Sequence, residues 1–359
     1  MDTGIRISSD IPGGNIIVDD ISGNRIKLRQ DYENSSRWWF WWNFAIDGAA
    51  GRTVVFDFGD KDVFSVLGPC CSDGREWLYL GADVICNNSF NFKFPEGASR
   101  YYFAFARPYT RSDLERFLYL NTDIKQEELT VTSKKRAVEL ISLISKESRW
   151  NVLLTARHHA CEVSASFVLE GIFEFWQADP WLRKYVDLRA VPFMDTDGVQ
   201  DGDQGKNRKP HDHNRDYGPF IYPETKALID TMKEWPRTAA ALDLHSPFMK
   251  EKNIFAVGAK TGQKQIDKFT AILKENRTGV LHYDGLSDIP YGSGWNVTPQ
   301  ELTMSGFLRE NSLADMAVTM EIPYVKNKNI MLTPENLREF GHDIAVSLKI
   351  YLQEYCLSA

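Results

Sequence analysis

The pattern of hydrophobic and polar positions changes near residue 110. Before it, short apolar runs at 53–58, 77–80 and 101–106 are separated by Gly, Asp and Asn, which is typical of β-strands. After it, strand-like runs alternate with amphipathic segments at helical spacing, as in α/β domains. The sequence therefore predicts an all-β sandwich over residues 1–110 and an α/β domain over residues 111–359.

Several helices and strands of the second domain can be predicted from the same pattern. Strands are expected at 152–155, 186–193 and 239–244, and a helix at 163–176. The last helix is the clearest, because Thr333 can act as its N-cap, Pro334 suits its first turn, and apolar residues follow at helical spacing. A short helix is expected at 113–120, with Ser112 and Glu115 as its capping pair.

An aromatic run in the first domain admits two interpretations. Four of the ten tryptophans lie within residues 38–42, followed by Phe44, and a strand there would carry aromatic rings on both faces. Such rings usually bury most of their area, so we expect this strand to pack against a neighbouring domain. The alternative is a platform on which sugars or nucleic-acid bases stack.

Composition narrows the classes of partner. The chain of 359 residues has 43% hydrophobic and 25% charged residues, and its net charge is −7 without a basic arm. Neither nucleic-acid binding nor membrane association is therefore expected. The N-terminus lacks the pattern of a secretion signal, no run of 18 apolar residues occurs, and the five cysteines form no disulfide pattern. A cytoplasmic location is the expectation.

Two histidines follow predicted strands and could ligate a metal. His159 and Glu162 lie three residues apart after the strand at 152–155, so one turn could bring both onto one ion. His245 follows the strand at 239–244, with Asp243 on the same strand face. The short motif alone is weak, and His245 alone could be a hydrogen-bonded histidine at a strand end.

A carboxylate and a group of cations complete the candidate chemistry. Glu321 lies in the apolar stretch 316–324, where burial would raise its pKa towards the range useful for a general base. The polar stretch 197–217 is rich in arginine, whose guanidinium group matches a carboxylate. The alternatives are a solvent-facing glutamate and a solvated surface loop.

In this order, the motifs resemble the zinc carboxypeptidases, and most closely their cytosolic-carboxypeptidase-like branch. The resemblance is carried by His159-x-x-Glu162, the segment 197–199, the pair 214–215, the segment 243–245 and Glu321 before the last helix. A preceding β domain and the junction at 101–109 point to that branch. The resemblance implies a carboxypeptidase-like α/β domain with a mixed, mostly parallel sheet flanked by helices.

The resemblance also implies roles for individual residues. The enzyme would be a metallocarboxypeptidase that hydrolyses the C-terminal bond of peptides or proteins through a zinc-activated water, with one Zn²⁺ per chain. The implied roles are zinc ligation by His159, Glu162 and His245, general base catalysis by Glu321, and binding of the substrate's terminal carboxylate by Asn214 and Arg215.

Two positions depart from the family pattern. The oxyanion-stabilising arginine of the branch would align near Gly205, and of the nearby cations Lys206 and Arg208 we expect Arg208 to take this role. Tyr291 is expected to replace the family's mobile tyrosine, and His158 and Cys161 to be structural. The alternative function is a zinc amidohydrolase acting on N-acyl amino acids or cell-wall peptides. A third possibility is a binding protein that uses the β domain.

Overall fold

The structure is a computed structural model that describes residues 4–35, 39–59, 61–297 and 299–356. The strands of the N-terminal part are β1 (Arg6–Ser8), β2 (Ile17–Ser22), β3 (Arg25–Arg29), β4 (Asn43–Asp47), β5 (Thr53–Asp57), β6 (Cys70–Ser72), β7 (Trp77–Tyr79), β8 (Ile85–Cys86), β9 (Ser89–Lys93) and β10 (Arg100–Ala104). The remaining strands are β11 (Lys125–Val131), β12 (Ala137–Leu143), β13 (Trp150–Ala156), β14 (Val186–Val191), β15 (Thr238–His245), β16 (Phe255–Val257), β17 (Ala314–Glu321), β18 (Lys326–Asn327) and β19 (Ile330–Met331). The helices are α1 (Arg111–Leu120), α2 (Ser164–Ala178), α3 (Pro180–Tyr185), α4 (Thr196–Asp201), α5 (Pro223–Met232), α6 (Gln263–Asn276), α7 (Met304–Glu310) and α8 (Pro334–Cys356).

The N-terminal part is a sandwich of two five-stranded sheets, ordered β1-β4-β10-β6-β7 and β2-β3-β5-β9-β8. Aromatic rings from the two sheets meet between them. Phe103 of the first sheet lies 5.0 Å from Phe56 and 5.7 Å from Phe90 of the second sheet, measured between ring centroids. Offset aromatic pairs of this kind add to the stabilisation that burial provides. The predicted β sandwich is confirmed.

The second part contains a seven-stranded sheet in the order β11-β12-β14-β13-β15-β17-β16. The central strands β14, β13, β15 and β17 are parallel, while β12 and β16 run antiparallel to their neighbours. Helices α2 and α8 approach each other so closely at Gly171 that a side chain would not fit. A Cβ atom on Gly171 of α2 would lie 2.1 Å from the carbonyl oxygen of Arg338 in α8. The predicted mixed, mostly parallel sheet is confirmed.

Within the aromatic run, residues 39–42 do not form a strand, which corrects the prediction. Strand β4 begins only at Asn43, Trp38 lies outside the described residues, and residues 39–42 lie outside any strand. Phe40, Trp41 and Trp42 are nevertheless buried. The main chain of Trp41 is hydrogen-bonded to the side chain of Gln204, a residue in the second part of the chain. The run therefore packs where the two parts meet, as expected.

The start of α1 also differs from the prediction. The capping pair is Thr110 and Asp113, whose carboxylate accepts the Thr110 backbone N–H at 2.7 Å. Glu115 instead pairs with Arg111 one helical turn away, so it is not available to Ser112. For α8 the cap is as predicted, since Thr333 Oγ1 accepts the backbone N–H of Asn336.

One continuous cluster of buried apolar side chains contains residues from both parts of the chain. The division at residues 110 and 111 therefore stays a prediction. Among the helices in the described ranges, none combines the length and apolar character that crossing a bilayer requires.

Candidate active site

Three neighbouring parallel strands end at the same edge of the central sheet. Strand β13 leads into the turn that carries His159 and Glu162, β15 ends at His245, and β17 ends at Glu321. His245 and Glu321 are direct partners in the register of β15 and β17. Ligands bind at the carboxyl ends of parallel strands. The sheet thus brings together four residues that the sequence analysis singled out.

Arg157 holds the turn between β13 and α2. Its backbone has a φ of 60°, and its buried side chain donates hydrogen bonds to the carbonyl oxygens of Ala160 and Tyr109 and to Ser166 Oγ. Burial lowers the pKa of Arg157 to about 10, so it remains protonated at neutral pH. The role of Arg157 is not visible in the sequence, because an arginine in a turn carries no signal of its own.

The side chains of His159, Glu162 and His245 converge on one point. Glu162 Oε1 lies 2.9 Å from His159 Nδ1, and Glu162 Oε2 lies 2.8 Å from His245 Nδ1. The two Nδ1 atoms are 3.3 Å apart. Burial would raise the pKa of Glu162, but the positive charges of Lys206 and His159 outweigh it and lower the pKa. Two imidazoles and a carboxylate around one point form a donor set that could hold a metal ion.

The other ring nitrogen of each histidine faces a carboxylate. His159 Nε2 lies 3.3 Å from Asp212 Oδ1, and His245 Nε2 lies 2.8 Å from Asp243 Oδ2. Such carboxylates hold the proton on Nε2, orient the ring and leave the Nδ1 lone pair free for a metal. Asp212 was not predicted as a site residue, although it lies two residues before Asn214 of the pair predicted to bind substrate.

A second donor set overlaps the first. His158 Nδ1 lies 2.8 Å from Asp243 Oδ1, and the other oxygen of Asp243 faces His245. His158 Nε2 contacts the hydroxyl of Tyr217 at 2.7 Å. His158 and Asp243 have no exposed surface, so this set is closed. His159 and His245 of the first set both line the pocket that Glu321 also lines, whereas His158 and Asp243 of the second set do not, and a catalytic metal site requires such access.

Glu321 has the environment of a general base. Its side chain is buried, and its Oε2 atom has no hydrogen-bond partner among the described residues. Burial raises the pKa of Glu321, while the positive charges of His245 and Lys206 act in the opposite direction. The carboxylate also lines the pocket beside the donor set. It is therefore placed and tuned to accept a proton there.

The same pocket contains Asn214, Arg215 and Arg309. The Asn214 amide is engaged, since its Nδ2 donates to Asp243 Oδ2 and its Oδ1 accepts the backbone N–H of Met304. Arg215 donates to the Asn214 carbonyl oxygen, and in the described part of the chain it has no carboxylate at ion-pair distance. Arg215 is thus the better placed of the predicted pair to bind an incoming carboxylate.

Arg208, expected to stabilise the oxyanion, does not reach the donor set formed by His159, Glu162 and His245. Its guanidinium group is buried between Asp195 and Asp203, at 2.8 and 2.7 Å. The cation at the centre is Lys206, whose Nζ lies 2.5 Å from Glu162 Oε1 and donates to the Ser246 carbonyl oxygen. Burial lowers the pKa of Lys206, but Glu162 and Glu321 outweigh this and raise it.

Gly205 explains why the loop brings Lys206, the next residue, close to Glu162. Its φ is +77°, and a Cβ atom there would lie 2.2 Å from the backbone nitrogen of Ala160. Only glycine lets the loop approach the turn that carries His159 this closely. The position where the family has an arginine therefore cannot carry a side chain here.

Tyr291 is not brought to the pocket. It is 43% exposed and lines a separate cavity together with Lys260 and Asp288. The aromatic residue of the same loop that lines the pocket is Trp295, which is 50% exposed. Cys161 is buried against the Tyr324 hydroxyl and belongs to neither donor set.

Curated relatives with similar sequences are cytosolic carboxypeptidases. The chain is 28% identical over 208 residues to cytosolic carboxypeptidase 3 of Mus musculus, which is 52% of this chain and 20% of that protein. It is 28% identical over 181 residues to cytosolic carboxypeptidase 6 of Homo sapiens, which is 44% of this chain and 36% of that protein. These matches therefore span well under half of the relatives' length. No protein-family model matches the chain.

Solved structures show the same fold along nearly the whole chain. A metallo-carboxypeptidase from Burkholderia cenocepacia has a TM-score of 0.81 at 20% identity, covering 98% of this chain and 100% of its own. A metallo-carboxypeptidase from Pseudomonas aeruginosa, in complex with (2-guanidinoethylmercapto)succinic acid, has a TM-score of 0.80 at 22% identity, covering 97% and 99%.

Metal analysis of two histidine variants distinguishes the two donor sets. We expect the wild-type chain to retain about one metal ion after dialysis, and His159→Ala to retain almost none. His158→Gln should still bind one ion, with affinity reduced by about 10–100-fold, because it removes only a partner of Asp243. Elemental analysis and titration of the metal-depleted protein measure both quantities. Metal retained by His159→Ala and lost by His158→Gln would contradict this assignment.

Proposed function

We propose that the chain, which is similar in sequence to cytosolic carboxypeptidases and in fold to metallo-carboxypeptidases, is a zinc-dependent carboxypeptidase acting on the C-termini of peptides or proteins. The observation that carries the proposal is the convergence of His159, Glu162 and His245 beside Glu321 at a pocket lined by Arg215. The names of the relatives support a cytoplasmic location.

The donor set supports zinc as the metal. Two imidazole nitrogens and one carboxylate leave a fourth tetrahedral position open, which is the usual arrangement of a catalytic zinc site. When bound, zinc lowers the pKa of a water molecule and polarises a carbonyl group. One ion per chain would be held by His159, Glu162 and His245. Asp212 orients the ring of His159, and Asp243 orients the ring of His245.

Glu321 then acts as the general base. Its Oε2 atom takes a proton from the attacking water and later gives it to the departing amine. The raised pKa suits both directions of transfer, since a carboxylate with an ordinary pKa is a weaker base. The carboxylate needs no rearrangement to do this, as the described residues leave Oε2 without a partner.

Lys206 supplies the positive charge that stabilises the oxyanion. Its ammonium group lies next to Glu162 and is held by the carbonyl oxygen of Ser246. Negative charge that develops on the carbonyl oxygen during attack is stabilised by a fixed cation in a site that excludes water. Arg208 is instead paired with Asp195 and Asp203.

Arg215 and Arg309 support recognition of a free, acidic C-terminal residue. Arg215 binds the terminal carboxylate, which restricts cleavage to the chain end. Arg309 is buried at the pocket and donates to the Ala317 carbonyl oxygen. Burial lowers the pKa of Arg309 to about 10 although the charge of Glu310 acts in the opposite direction, and among the described residues no carboxylate lies at ion-pair distance from Arg309. A buried guanidinium without a counter-ion favours an acidic side chain in the pocket.

Replacement of Glu321 tests the chemistry. Glu321→Gln should lower kcat for a peptide with a free C-terminus by about 10³-fold while the metal content stays unchanged. Peptidase activity is followed by mass spectrometry, with Glu339→Gln on the exposed face of α8 as a control that keeps full activity. The amidated peptide should resist the wild-type enzyme. Hydrolysis of N-acyl amino acids or cell-wall fragments but not of peptides would favour an amidohydrolase instead.

Replacement of Lys206 tests the reassigned cation. Lys206→Met should reduce kcat by about 10²–10³-fold, with a smaller change in KM, since the charge acts mainly in the transition state. Lys206→Arg should restore part of the loss. The control is Lys209→Met, which removes an exposed charge of the same loop. Unchanged kcat in Lys206→Met would exclude Lys206 from the reaction.

Replacement of Arg309 tests the recognition of acidic residues. The wild-type enzyme should cleave a C-terminal glutamate faster than a C-terminal glutamine or leucine. In Arg309→Met this preference should fall by about 10–100-fold in kcat/KM, the usual worth of a hydrogen bond to a charged group. Arg116→Met, an exposed change on α1, serves as the control. An undiminished preference for glutamate would contradict the role of Arg309.

A further inference from the structure

An aromatic surface lies next to Lys206, the cation that contacts Glu162 of the metal-donor set. Lys206 Nζ is 5.7 Å from the centroid of the Trp39 ring, and Trp39 lies 6.4 Å from Phe248 between ring centroids. Phe248 follows His245 by three residues and is 51% exposed although its ring contacts Phe40. We call Trp39 and Phe248 the aromatic wall.

The aromatic wall is held in place by the packing of the two parts of the chain. The backbone of Trp41, two residues after Trp39, forms two hydrogen bonds with the side chain of Gln204. The Trp41 N–H donates to Gln204 Oε1, and the Trp41 carbonyl oxygen accepts from Gln204 Nε2. Gln204 lies two residues before Lys206 in the catalytic loop. The N-terminal sandwich thus places a ring beside the catalytic cation.

The direction of the substrate chain follows from the pocket. The pocket with Arg215 and Arg309 receives the C-terminal residue, and neither Lys206 nor any residue of the aromatic wall lines it. With Glu321 as the proposed base and Lys206 as the proposed oxyanion-stabilising cation, the scissile carbonyl is placed between these two side chains. The residue before the scissile bond therefore leaves the centre past Lys206, towards Trp39 and Phe248.

Resting on the proposed function, we propose that the aromatic wall binds the side chain of the penultimate residue of the substrate and selects apolar or aromatic side chains there. A ring of the substrate can stack on Trp39 and cover the exposed face of Phe248, which removes apolar surface from water. The substrate class is then a peptide that ends in an apolar residue followed by an acidic one. The sandwich contributes directly to its recognition.

The test uses the full chain and N-acetylated tripeptides ending in glutamate, with phenylalanine, leucine, serine or glycine in the penultimate position. The wild-type enzyme should favour phenylalanine over glycine by about 10-fold or more in kcat/KM. Phe248→Ala and the milder Trp39→Leu should reduce this ratio at least threefold. Tyr119→Ala, at an 81% exposed ring of α1, should leave it unchanged.

Binding to the Glu321→Gln variant, measured by calorimetry, separates this inference from the proposed function. Suppose that the wild-type enzyme hydrolyses no peptide, but that phenylalanine peptides bind more tightly than glycine peptides and Phe248→Ala removes this difference. The peptidase proposal then fails, while the proposed role of the aromatic wall is supported. Equal kcat/KM and equal binding for phenylalanine and glycine peptides would overturn the inference. So would a preference that both Phe248→Ala and Trp39→Leu leave intact.

Discussion

The candidate site depends on the buried carboxylate of Asp243. A carboxylate without exposed surface is unstable unless its oxygens are compensated. Here one oxygen faces His158 and accepts the hydroxyl of Thr155, and the other faces His245 and accepts the Asn214 amide. These charged and polar partners lower the pKa of Asp243 although burial alone would raise it. One side chain thereby fixes the proposed metal ligand His245, the neighbouring His158 and the loop that carries Arg215.

The loop between α4 and α5 is the second feature on which the candidate site depends. Its approach to the metal-donor set requires a glycine at 205, and this approach brings Lys206 to Glu162 and leaves Arg208 to its buried pairing with Asp195 and Asp203. The same loop holds Trp41 of the sandwich through Gln204. The position of Lys206, the proposed catalytic cation, and the contact with the N-terminal part are therefore set by one stretch of backbone.

The sequence predicted what depends on residue type and strand order. His159, Glu162, His245 and Glu321 each follow or end an apolar strand, and parallel strands bring such ends together. It failed where backbone path decides, because neither the choice of Lys206 over Arg208 nor the place of Tyr291 can be read from spacing. Phe40, Trp41 and Trp42 are buried as their aromatic character predicts, but they lie outside any strand, because apolar burial does not require strand geometry. The contacts of Arg157 and Asp212 gave no sequence signal at all.

The central claim is that a metal held by His159, Glu162 and His245 drives removal of C-terminal residues. The most direct measurement is mass spectrometry of a peptide library incubated with the protein as purified, after chelation and after chelation followed by zinc. The account predicts the loss of single residues from free C-termini, no products after chelation, and recovery on addition of zinc. Internal cleavage, cleavage that survives complete metal removal, or no cleavage of any peptide by the zinc-loaded protein would contradict it.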